Sequence, residues 1–108
     1  MEGSLKVHLP LPADHPALAG HFPGNPVYPG VVLLDAAIGT IESHFGASAR
    51  SIPVAKFHAP VRPGMTLVLG AELDNGEVRF ELTSSDGTRI ASGTARLKPT
   101  GTVRAQDA

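Results

Sequence analysis

The sequence predicts an α+β fold, one central helix wrapped by an antiparallel sheet of about five strands. Three observations lead there. A single long helical signal is present: the apolar run Val31 to Ile38, broken only by Asp35, entered through Pro29-Gly30 and left through Gly46. Proline is well tolerated in a first helical turn, and glycine at a helix end accepts the left-handed conformation that stops it. The second half of the chain alternates apolar and polar residues between turn signals, the period-2 pattern of half-buried strands. Finally, the first two turns of the helix are apolar nearly all round, so the helix is expected to be buried on most sides, as a sheet curled about it would achieve.

Taken in order, Leu5, Val7, Leu9 and Leu11 alternate with Lys6, His8 and Pro10, which reads as a strand whose end lies at a sheet edge, because proline cannot donate to a ladder. Asp14 to Leu18 reads as a single capped helical turn with Asp14 as N-cap. The segment His21-Phe22-Pro23-Gly24-Asn25-Pro26-Val27-Tyr28-Pro29-Gly30 is a loop stiffened by prolines and freed by glycines, and it delivers the chain to the helix, expected from Pro29 or Gly30 to about Phe45. Along the helix, Asp35, Gly39 and Glu42 form a small or polar stripe. Ile52, Val54 and Phe57 mark the next strand, with Pro53 again edge-like, and Pro63-Gly64 closes the bend after it. Leu67, Leu69, Ala71 and Leu73 form one strand face. Asp74-Asn75-Gly76 is a type I′ hairpin signal, since Asn-Gly adopts positive φ readily. Val78, Phe80 and Leu82 then point inward, Ser85-Asp86-Gly87 makes a second hairpin, and Thr88 to Lys98 is the last strand. Its Ala91, Gly93 and Ala95 make a small-residue face able to curl closely around a helix. Residues 1–98 are expected to form one domain and residues 99–108 a disordered tail.

Composition narrows the function classes. At 108 residues the chain suits one core near the size where oligomerisation helps. A net charge of −1 with both signs interspersed argues against nucleic acid. The chain contains no cysteine, hence no disulfide framework and no thiolate metal site. No apolar run approaches the ~20 residues of a membrane span, and Met1-Glu2-Gly3-Ser4 lacks the regions of a signal peptide, so a cytoplasmic protein is expected. Asp14, His15 and His21 have no recognised metal-ligand spacing. There is no Gly-x-Ser-x-Gly elbow and no phosphate-binding glycine loop. Neither metal nor other cofactor is expected.

The chemistry concentrates around the loop and helix start. An imidazole titrates near neutrality and suits general-base proton removal, so His21 is a candidate base, although by residue type alone it equally fits a structural loop histidine. Asp35, flanked by Leu34, Ala36 and Ala37, suits an acid kept protonated by an apolar site, or else belongs to a solvated stripe with Gly39 and Glu42. The Gly30 N–H lies in the first helical turn, where donors lack intrahelical partners and the dipole is positive, and would stabilise a developing oxyanion. His8, His44 and His58 read as ordinary outward or helix-end positions.

The run His21, Phe22, Pro23, Gly24, Pro26, Pro29, Gly30, Val31 and Asp35 resembles the signature of the 3-hydroxyacyl-[acyl-carrier-protein] dehydratases of the hot-dog fold, the FabA/FabZ type. Lys56-Phe57-His58-Ala59-Pro60-Val61-Arg62-Pro63-Gly64 is similar to that family's stretch leading out of the central helix. The resemblance implies a hot-dog fold and reversible removal of water from a 3-hydroxyacyl thioester. It implies His21, Asp35 and Gly30 as the catalytic groups and Phe22, Pro23, Gly24, Tyr28, Val31 and Ile38 along the substrate path, with core packing the other role open to Ile38. It also implies a homodimer in which His21 of one chain meets Asp35 of the other. An acidic acyl carrier protein would be the partner, with Arg50, Lys56 and Arg62 as candidate contacts or else ordinary solvated charges on strand faces. Gly39 stands where the family usually carries glutamine. A hot-dog thioesterase, with Asp35 activating water, and a non-catalytic acyl-binding subunit are the competing readings.

Overall fold

The computed structural model describes residues 2–11 and 27–99. In chain order these residues form β1 (Glu2–Leu9), α1 (Gly30–Phe45), β2 (Ala47–Phe57), β3 (Leu67–Asp74), β4 (Glu77–Ser84) and β5 (Arg89–Pro99). The strands make one antiparallel sheet in the order β1-β3-β4-β5-β2, with α1 packed against it, which is the hot-dog arrangement.

Local chemistry sets the boundaries. Pro29 occupies the N-cap position of α1, and Gly46 ends the helix at φ 63°, its N–H donating to the Glu42 carbonyl. Asn75 (φ 54°) and Gly76 (φ 80°) both take positive φ between β3 and β4, as a type I′ hairpin requires. Alternation sets the faces. Leu67, Leu69, Ala71 and Leu73 of β3 and Val78, Phe80 and Leu82 of β4 are buried in one cluster with Leu33, Ala37 and Ile41 of α1. The β4–β5 ladder shifts register between Leu82 and Thr83, and both Ile90 and Ala91 are buried beside that shift. Gly93 leaves room for the sheet to close: a Cβ there would stand 2.3 Å from the Val54 carbonyl oxygen and 2.7 Å from Phe80 Cζ.

Two expectations are corrected. The helix is not buried on most sides in the single chain. Leu33, Ala37 and Ile41 face the core, but Val31 is 71% exposed, and Asp35 and Gly39 lie exposed on the same stripe. One five-stranded sheet covers one side of a helix, and the other side is left with Val31 uncovered beside the small and polar residues Asp35 and Gly39. The last strand also includes Pro99, one residue past the expected end, because Pro99 pairs with Ala47 at the start of β2. The expected turn at Asp14 to Leu18, the loop up to Pro26 and the tail from residue 100 lie outside the described residues. Among the described residues no helix is long and apolar enough to cross a membrane.

Candidate active site

The two motif stretches, distant in sequence, meet at the N-terminus of α1. The Tyr28 N–H donates to the Val61 carbonyl at 2.8 Å, tying the residue before the helix to the connection after β2. That connection is held in turn by His58 and Ala59, whose N–H groups donate to the Ile90 carbonyl at 2.8 and 3.4 Å. Between them opens a pocket of about 430 Å³, with Tyr28, Gly30 and Leu33 on one side and the segment Phe57 to Val61 on the other. Its walls are largely apolar and firmly set: Tyr28 is 4% exposed, Leu33 2% and Val61 0%. Gly30 is the first helical residue, and no acceptor for its N–H is found among the described residues. A carbonyl oxygen placed there would meet a first-turn amide at the positive end of the helix dipole, an arrangement that stabilises an oxyanion.

Larger hollows elsewhere lack these features, among them a polar one of about 450 Å³ between Glu2, Glu72, Asp74, Glu77 and Arg79. Another, of about 550 Å³, lies over Gly70 on the outer face of the sheet and is bordered by Lys6, Glu72, Arg79 and Glu81. A third, of about 540 Å³, runs past the end of β1 beside Met65 and Thr66 and shares only Tyr28 and Gly64 with the motif stretches.

The remaining site candidates divide clearly. Asp35 is exposed on the helix stripe that also carries Val31, turned away from the core-facing stripe on which Leu33 reaches the pocket. In a single chain, therefore, neither the Asp35 carboxyl nor the Val31 side chain lines the pocket at Gly30. Ile38, at 9% exposure, sits in the hydrophobic core cluster. Lys56 and Arg62 are exposed and flank the pocket-lining segment on its two sides. Arg50 does not belong with them. It lies six residues before Lys56 on β2, towards the C-terminal end of α1, about 20 Å away at ~3.3 Å per strand residue. His21, Phe22, Pro23 and Gly24 lie outside the described residues, as do Asp14 and His15. Among the described residues no cluster of three His, Cys, Asp or Glu side chains is placed to hold a metal.

Sequence reasoning overlooked two groups. Glu42 does not simply join the solvated stripe: its Oε2 accepts the Ala49 N–H at 2.8 Å, anchoring the start of β2 to the helix. Phe57, read as a strand marker and as part of the second motif stretch but given no role, brings its ring against Gly30 inside the pocket. The signal available was an aromatic residue inside a proline-punctuated stretch that resembles a family motif.

With this geometry in hand, the relatives can be named. Residues 1–94 match the ApeI-like family, described as ApeI dehydratase. A 3-hydroxyacyl-[acyl-carrier-protein] dehydratase FabZ from Ehrlichia chaffeensis is 43% identical over 63 residues, covering 52% of this chain and 44% of that protein. The chain spans about half the length of the FabZ relatives it matches. Among solved structures, the dehydratase heterocomplex ApeI:P from Xenorhabdus doucetiae superposes with a TM-score of 0.73 at 28% identity, over 87% of this chain and 86% of that one. The (R)-hydratase from A. caviae superposes with a TM-score of 0.69 at 15% identity, over 91% and 95% of the two chains, a likeness of fold alone.

Proposed function

Because the chain belongs to the ApeI-like dehydratase family, we propose that it removes water reversibly from 3-hydroxyacyl thioesters carried by acyl carrier protein. The work is done in a site shared between two subunits, in the cytoplasm, within fatty-acid or polyketide-like synthesis. His21 takes the C2 proton and the C2–H electron pair becomes the C2=C3 bond. The C3–O bond breaks with its electrons on oxygen, and Asp35 supplies the proton that completes the departing water. The Gly30 N–H holds the thioester oxygen while negative charge collects on it. The product is the trans-2-enoyl thioester. Lys56 and Arg62, beside the pocket, face the acidic carrier protein.

One observation supports this reading above the rest: the helix whose first residue, Gly30, lines an apolar pocket, its amide without an acceptor among the described residues, carries Asp35 on its opposite, uncovered face. Such an acid cannot serve its own chain's pocket. It serves one completed by a neighbour, and the uncovered Val31 and β2 edge give that neighbour a surface to cover. A homodimer meets this need most simply. A second reading pairs the chain with a different hot-dog subunit, favoured by its similarity to the dehydratase heterocomplex ApeI:P.

The test is to incubate the protein with 3-hydroxyacyl and trans-2-enoyl carrier-protein thioesters and to follow interconversion against thiol release. Interconversion should fall about 10²–10⁴-fold in His21→Ala and in Asp35→Asn, and mixing the two inactive variants should restore part of it through subunit exchange. Thiol release without interconversion would select a thioesterase. A protein inactive alone that gains activity with a second hot-dog chain would select the heteromeric reading.

A further inference from the structure

Phe57 ends β2 with half of its surface, 49%, exposed. Its ring is nevertheless placed with care. Were Gly30 to carry a Cβ, that atom would lie 3.0 Å from Phe57 Cζ, 3.1 Å from Cε1 and 3.2 Å from Cε2. The tip of the ring therefore rests on the bare Cα of the first helical residue, beside the amide expected to receive the thioester oxygen. Other walls of the pocket cannot give way. Leu33 and Val61 are locked in the core, the Tyr28 and Val61 backbones are bonded to each other, and the His58 ring nitrogen Nε2 is 3.0 Å from Ser92 Oγ. Phe57 combines a large flat side chain, high exposure and direct contact with Gly30.

We propose that Phe57 is a substrate-positioning residue. Its ring occupies the space beside Gly30 when no acyl group is bound, yields as the thioester enters, and then packs on the planar C1–C2–C3 unit so that the carbonyl oxygen stays at the Gly30 N–H. The small side of Gly30 belongs to the same device, because a methyl group there would collide with the ring that must settle over it. Aromatic packing of this kind is modest in strength, so Phe57 sets how well a thioester is held rather than whether the chemistry proceeds. This inference rests on the dehydratase reading and gives its thioester pocket a movable wall.

The chain offers a clean reporter, since its 108 residues contain no tryptophan. In Phe57→Trp, the emission of the introduced indole should shift and saturate as crotonyl-pantetheine is added. In Phe57→Ala, KM for the carrier-protein substrate should rise about three- to tenfold, with kcat changed less than about twofold. Phe57→Leu, which keeps apolar bulk without a flat ring, should fall between. It also serves should the alanine variant fold poorly. Wild-type turnover accompanied by an indole that ignores the thioester, and by unchanged KM in Phe57→Ala and Phe57→Leu, would overturn the role of Phe57 and leave the dehydratase reading standing. A wild-type protein that neither turns over nor binds the thioester would overturn both.

Discussion

The two edges of the sheet are built differently. β1 is finished within one chain: Leu5 and Leu9 are buried, while Glu2, Ser4, Lys6 and His8 face outward. Pro10 follows directly, and a short strand lined with polar side chains and stopped by proline discourages further pairing. β2 is not finished. Every residue from Arg50 to His58 is exposed, Ile52 and Val54 included at 38% and 39%. Its register against β5 shifts between Ala49 and Ser51 and again between Ser51 and Val54. Beside it the helix leaves Val31 and Asp35 uncovered. The side of the molecule that holds the proposed site is thus the side that a single chain leaves incomplete, as expected if that site is assembled from two subunits.

A charge placed on each edge tests this asymmetry most severely. On the shared-site reading, Val54→Lys should turn the proposed dimer into a monomer by light scattering and lower dehydration by about 100-fold or more, since the acid assigned to the partner would be lost with it. The thermal midpoint of the monomer fold should stay measurable, because Val54 contributes little to the core of its own chain. Ser4→Lys on β1 should alter neither mass nor rate. Equal effects at both edges, or a dimeric and active Val54→Lys, would remove the distinction.

Two glycines sharpen the same comparison at the level of stability. On the β1 side, a Cβ at Gly70 would meet nothing within 4 Å, whereas at Gly93 it would strike the Val54 backbone oxygen and the Phe80 ring. The obstacle at Gly93 includes backbone, so it cannot turn aside. Gly93→Ala should therefore cost about 1–3 kcal/mol in urea unfolding, the usual penalty of overpacking, and should loosen β2 from β5. Gly70→Ala should remain within about 0.5 kcal/mol of the parent. Amide exchange along β2, fast in Gly93→Ala and unchanged in Gly70→Ala, would locate the damage.

What could be read from the sequence follows from the range over which each feature is determined. The helix bounds at Gly30 and Phe45 and the hairpin at Asn75-Gly76 rest on residues adjacent in the chain, and local propensity finds them. The inward faces of β3 and β4 follow from strict alternation. The bulged course of β2 depends on its pairing with β5, and Pro53 marks an edge or bulge there without fixing the register. For the site, the chain pointed to two motif stretches without showing that the Tyr28 amide and the Val61 carbonyl join them. Phe57 over Gly30 was hidden for the same reason, being a contact between residues far apart in sequence. Glu42 looked like surface because its partner, the Ala49 amide, is a backbone group that no side-chain pattern reveals.

The smallest effect concerns the finished half of the molecule, at the turn between β4 and β5. Asp86 accepts the Ser84 hydroxyl, and its Oδ1 also accepts the Thr88 N–H at 3.0 Å. The Ser84 bond chiefly, and the Thr88 amide next, lower the carboxyl from 3.8 to about 2. A carboxyl whose folded value lies below its unfolded one stabilises the fold fully above the unfolded value and loses that contribution as pH falls from about 4 through 2. Asp86→Asn should therefore leave the thermal midpoint nearly unchanged at pH 2 and lower it slightly at pH 7, flattening the acid limb of the pH–stability curve. The group is open to solvent, so the change should be small, and it should appear without any loss of dimer mass or of dehydration rate at neutral pH. A loss of either would show that the β4–β5 turn is coupled to the β2 edge, and the contrast between a self-sufficient half and an unfinished one would then be too simple.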